Sequence, residues 1–118
     1  MIVKIQCGNP DRLFRSNKEF CFPETKYLHP ILQIEYVDNL IRHGNHNAIV
    51  ITTNSDIVIY KLRLLRKEKL IKALSILYYP FSKNENPIWI KVDSNGNCDI
   101  EPEGFLDQYS NLLLQFFK

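Results

Sequence analysis

The side chains of this chain that could do chemistry are three histidines, three cysteines, a run of C-terminal acids and a cation cluster at residues 61–72. His43 and His46 are separated by two residues in a Gly/Asn segment, and His29 precedes Pro30. A transition-metal centre needs three or four convergent ligands, and no cysteine stands near any of these histidines in sequence. The spacing therefore predicts solvated loop histidines and no metal. Cys7, Cys21 and Cys98 are odd in number and widely spaced, which predicts reduced thiols rather than a disulfide framework. Asp93, Asp99, Glu101, Glu103 and Asp107 follow one another with no Lys or Arg between Val92 and Phe117. Asp93-Ser94-Asn95-Gly96-Asn97 carries part of a calcium-loop pattern. The twelfth position, where a bidentate Glu belongs, is Gly104, so a plain turn is expected. Acid–base catalysis by these carboxylates lacks a partner base.

Lys61, Arg63, Arg66, Lys67, Lys69 and Lys72 face only Glu68 as a counter-charge within their segment. Such a cluster can contact phosphates. At about 100° per residue these cations scatter around a helix instead of forming a stripe, and a helix C-terminus favours cations in any case through the macrodipole. Nucleic-acid binding through them is expected to be weak. The four glycines, Gly8, Gly44, Gly96 and Gly104, form neither G-x-x-x-x-G-K-[ST] nor G-x-G-x-x-G, the loops that cradle phosphate. G-x-S-x-G, H-E-x-x-H and C-x-x-C are equally missing. No catalytic, cofactor-binding or metal-ligating residue is assigned on these patterns, and no cofactor is expected.

The elements that would position these groups read as follows. Met1 to Cys7 alternates apolar and polar residues and predicts a strand, and Gly8-Asn9-Pro10-Asp11 predicts a turn. Glu19-Phe20-Cys21-Phe22 is a short strand stopped by Pro23. A helix should begin at Pro30, run to Arg42 and stop at Gly44. Its only polar stripe is Glu35, Asp38, Asn39 and Arg42, which predicts a helix covered by other structure. The β-branched run Ala48–Thr53 predicts a central parallel strand buried on both faces. Asn54, Ser55 or Asp56 can cap a helix from about Ile57 to Leu70. Strands near Ser75–Phe81 and Ile88–Val92 should pair antiparallel. An amphipathic helix carrying Leu106, Tyr109, Leu112, Leu113 and Phe116 is expected to follow Pro102–Gly104.

With 118 residues and 13.9 kDa, the chain can hold one core, which fits a single domain over residues 1–118. Hydrophobic residues at 45% and charged ones at 24% exclude disorder as the main state. A net charge of +2 is too close to neutral to mark a polyanion-binding surface by itself. No apolar run approaches the ~20 residues that span a bilayer, and Met1–Gln6 carries no secretory pattern. A cytoplasmic location without membrane contact is expected.

Three phrases together carry a family resemblance. Pro23-Glu24-Thr25-Lys26-Tyr27-Leu28-His29-Pro30-Ile31-Leu32-Gln33 resembles the PE-x-HLHP-x-x-Q segment that follows the Walker B strand in ABC-type AAA ATPases of the RecF, SMC and OLD kind. Ile49-Val50-Ile51-Thr52-Thr53-Asn54-Ser55-Asp56 is similar to their ETHS strand and switch. Ile90–Asn97 followed by Glu101-Pro102-Glu103-Gly104-Phe105-Leu106-Asp107-Gln108 resembles the PEGFxDQ tail of a branch common in bacterial defence operons. The resemblance runs from about Phe20 to the C-terminus. It implies an α/β fold: a partial, mostly parallel P-loop-ATPase-like sheet with flanking helices and a C-terminal β-hairpin plus helix. It also implies that Phe20–Phe22 lies beside Ala48–Thr53.

The departures from that family carry the functional expectation. Its acidic pair, one residue for Mg²⁺ and one for water, aligns with Cys21 and Phe22, which can serve neither purpose. Its switch histidine aligns with Asn54 and the preceding Glu with Thr52, and the Pro23–Pro30 segment is one residue longer. The expectation is a non-catalytic, ATPase-like accessory subunit that docks on or regulates a partner ATPase or nuclease in anti-phage defence. Its candidate partner-binding residues are Asn54, Ser55, Asp56, Glu101, Glu103, Phe105, Asp107 and Gln108, with Phe105 as the apolar anchor. The alternative is a small nucleic-acid-binding module that uses the basic 61–72 segment.

Overall fold

The N-terminal strand, β1 (Ile2–Gly8), forms the middle of a five-stranded sheet. The computed structural model describes residues 1–12, 19–21, 29–82, 84–102, 105 and 115. After β1 and a 3₁₀ turn at Pro10–Arg12 come β2 (Glu19–Cys21), α1 (Pro30–His43), β3 (Ala48–Thr52) and α2 (Asp56–Lys67). They are followed by β4 (Ala73–Tyr79) and β5 (Ile88–Val92). The strand order is β2-β3-β1-β4-β5. The first four strands are parallel, and β5 runs antiparallel on β4. The fold is therefore α/β with a mixed, mostly parallel sheet, and the expected β2–β3 neighbourhood is present, with Phe20 opposite Ile51.

Alternation in the strands decides which face is dry. Val3, Ile5 and Cys7 of β1 join Ile49, Ile51, Leu74, Ile76, Ile90 and Val92 in one core. Val37 and Ile41 of α1 and Val58, Ile59, Leu62 and Leu65 of α2 meet them there, so both helices share one face of the sheet. Full burial of an Ile or Leu contributes about 1.5–3 kcal/mol. On the other face Ile2 and Trp89 remain exposed, and the Lys4 ammonium lies 5.1 Å from the Trp89 ring centroid.

β3 is an interior parallel strand as expected, paired with β2 on one side and β1 on the other, while β1 stands in the middle of the sheet. Three expectations are corrected. β3 is not buried on both faces: Ala48 is exposed and Val50 only half-buried. A β-branched run reads alike with one face covered or both, since hydrophobicity does not specify its partner. Helix α1 is not covered either, for Ile31, Leu32 and Ile34 are exposed and only Val37 and Ile41 are buried. α2 stops three residues before the expected Leu70. Lys69 adopts φ 68°, its N–H donates to the Arg66 carbonyl at 3.1 Å, and the Leu70 N–H donates to that of Leu65 at 3.0 Å. This pairing is the Schellman stop, which normally uses glycine.

Other local readings agree with the fold. Ser55 is the cap of α2, its Oγ accepting from the Val58 N–H at 3.3 Å. Pro30 occupies the first turn of α1 and Gly44 its C-cap. The expected C-terminal helix lies outside the described residues apart from Phe105 and Gln115. No helix among the described residues is long and apolar enough to cross a membrane.

Candidate functional site

In open parallel sheets, ligands bind outside the carboxyl ends of the strands, and that end of this sheet carries a cleft. Gly8 closes β1 with φ 104°. A Cβ there would lie 2.1 Å from the Tyr79 carbonyl oxygen, so the close approach of β1 to β4 requires glycine. Asn54, just past β3, accepts from the Gly8 N–H at 2.7 Å and donates to the Gly8 carbonyl at 2.9 Å. The Ser55 hydroxyl donates to Gln33 Oε1 on α1. Gln33 and Ser55 come from two of the phrases that carry the resemblance, and they meet at this rim.

The opposite wall is the β4–β5 connection, and Arg12 holds it. One Nη of the guanidinium donates to the Pro80 carbonyl at 2.8 Å and the Ser82 carbonyl at 3.1 Å, and the other to the Glu85 carbonyl at 2.7 Å. The group also lies 5.7 Å from the Tyr79 ring centroid. The planar guanidinium presents five N–H donors in a fixed fork, which suits it to spaced carbonyls of one loop. Arg12 was missed in the sequence because it sits one residue past a turn signal, and its acceptors are about seventy residues further on, in no motif.

Between these walls lies a cleft of about 760 Å³. Ile59, Tyr78, Ile88 and Phe105 give it an apolar lining, and Asp56 and Glu85 supply carboxylates. No Lys or Arg lines it among the described residues. Burial pushes the Asp56 carboxyl up from its ordinary pKa. It pushes the Cys7 thiol up to about 12, with the Asp56 charge adding to the effect. A thiol so far from ionisation is no nucleophile near neutral pH. An acid in the first turn of α2 occupies the place where a helix N-terminus would attract phosphate.

The structure brings together three of the candidate partner-binding residues, for Asn54, Asp56 and Phe105 line the same cleft. Phe105 is not the expected exposed anchor. It is 4% exposed and packs against Tyr78, with ring centroids 5.6 Å apart. The flanking acids made it look superficial, but sequence neighbours do not decide burial. Glu101 is exposed, whereas Glu103, Asp107, Gln108 and Phe22 lie outside the described residues, and of Cys21 only the backbone is described.

The basic segment is partly consumed by the fold. Lys61 pairs with Asp38 at 3.1 Å. Arg63 donates to the Gly96 carbonyl at 2.9 Å and stacks on Tyr60, and Arg66 donates to the Ile71 carbonyl at 3.4 Å. Lys67, Lys69 and Lys72 are exposed. His29 is no free loop histidine, because its Nδ1 caps α1 by accepting from the Ile31 N–H at 3.1 Å. Asp93 closes the expected turn, accepting from the N–H groups of Asn95 and Asn97. No group of three or more metal-ligating side chains is found among the described residues.

Comparison with known proteins gives no match: no protein-family model, no curated protein and no solved structure is significantly similar to this chain.

Proposed function

We propose that this chain is a non-catalytic, ATPase-like accessory protein that docks on or regulates a partner protein, an ATPase or nuclease subunit of a bacterial anti-phage defence system. The observation that carries the proposal is the pair of hydrogen bonds exchanged between Asn54 and Gly8, with Asp56 on the same cleft. The residue aligned with the phosphate-sensing histidine spends its side chain on the protein's own backbone. The next helix turn presents a carboxylate where a nucleotide would need positive charge. Both features support a role at this rim that does not involve holding a phosphate.

Docking is assigned to the polar residues Asn54, Ser55, Asp56 and Glu101, of which Asn54 and Asp56 line the apolar cleft. The alternative, nucleic-acid binding through residues 61–72, is less favoured, since Lys61, Arg63 and Arg66 already serve the fold. Co-expression with the products of the flanking genes tests the proposal. The expected result is a stoichiometric complex with an ATPase or nuclease that Asp56→Arg breaks. A stoichiometric Mg-ATP site on the chain, or a chain that stays alone, overturns it.

A further inference from the structure

We propose that the cleft at the carboxyl ends of β1, β3 and β4 binds a small organic cation, an amine or amidine on an aromatic or aliphatic body, with Asp56 as its counter-ion. The position is the one where open α/β sheets hold their ligands. The volume of about 760 Å³ lies within the ordinary range for small-molecule sites. Ile59, Tyr78, Ile88 and Phe105 form an apolar lining, but Tyr78 and Phe105 are nearly fully buried, so the accessible aromatic face is that of Phe81. Phe81, 62% exposed, stands at the mouth. Aromatic faces attract cations and reject anions.

Charge selects the ligand class. Asp56 forms no ion pair with any described residue, and Glu85 is the second acid on the lining. Arg12, on the outer wall, has its guanidinium committed to the carbonyls of Pro80, Ser82 and Glu85. The same clamp holds the outer wall in place before any ligand arrives, which lowers the ordering cost of binding. A carboxylate in a partly dehydrated site gains from an arriving ammonium, while a phosphate or carboxylate ligand meets two like charges.

The inference needs no partner protein, so its failure leaves the docking proposal standing, and a chain that binds the probe but no protein fails docking alone. The test titrates isotope-labelled chain with phenethylamine and, separately, with phenylacetate, which matches it in size but carries the opposite charge. Phenethylamine is expected to shift the amide signals of Asp56, Ile59 and Ile88 saturably, with phenylacetate at least about tenfold weaker. Asp56→Asn should weaken the amine by about tenfold, and Glu35→Gln on α1 should leave it unchanged. The inference is overturned by equal affinity for the two probes, by amine binding indifferent to Asp56→Asn, or by cleft signals that do not move. The comparison of probes on the unaltered chain stands even where a variant is unstable.

Discussion

Asn54 grips Gly8 through both of its backbone polar groups, across forty-six residues of sequence. The bond joins the ends of β1 and β3, where the sheet opens into the cleft. Asn54→Ala leaves a partly buried N–H and carbonyl without partners and should destabilise the fold by about 1–3 kcal/mol in urea unfolding. Gly8→Ala should cost more, since its Cβ would meet the Tyr79 carbonyl oxygen and its φ is positive. Midpoints equal to that of the unaltered chain would contradict this geometry.

Phe105→Ala should cost about 3–5 kcal/mol of stability, as expected for a buried aromatic. A loss of partner binding in this variant therefore reports unfolding rather than a lost anchor. A melting temperature unchanged by the substitution would place Phe105 outside the core.

Lys69→Gly should stabilise the chain, by up to about 1 kcal/mol. Lys69 holds the left-handed conformation that ends α2, where a Cβ is penalised and glycine is not. The gain is read in thermal melts, and Lys69→Ala, which keeps the Cβ, should not show it.

Two carboxylates should respond to acid with opposite signs. Hydrogen bonds from Arg42 and Lys61 hold the Asp38 carboxyl below its usual range. Its contribution is present above the ordinary carboxylate pKa and is lost as pH falls through the lowered folded value. Asp38→Asn should flatten that acid limb of a stability–pH curve. Burial raises the Asp56 carboxyl, so its protonated form favours folding at low pH, and that advantage is lost as pH rises through the raised value. Asp56→Asn should flatten this component instead.

Cys7 should resist alkylation in the folded chain at mildly alkaline pH and react freely in urea. Its thiol is 3% exposed and its pKa is about 12, so little thiolate forms to attack iodoacetamide. Labelling followed by peptide mass analysis checks this; modification at the rate of an exposed thiol would refute it.

What the sequence determined by itself was local. Pro30 and Gly44 bound α1, Ser55 caps α2, Asp93 closes its turn and Ile88–Val92 is a strand, because each depends on backbone preferences within a few residues. The parallel β2–β3 pair stood among the expectations drawn from the resemblance, whereas β3 and β4, also joined by a helix, are kept apart by β1. Only tertiary structure decided that β1 is central, that Ile31, Leu32 and Ile34 lie exposed, and that Phe105 is buried against Tyr78. It alone brought Arg12 to the carbonyls of the β4–β5 connection and set Asp56 beside the apolar lining of the cleft. The physical reason is that periodicity and capping report a residue's own segment. Burial, charge pairing and the shape of a cleft depend on which distant segment arrives next to it, and a β-branched strand or a lone arginine carries no address for its partner.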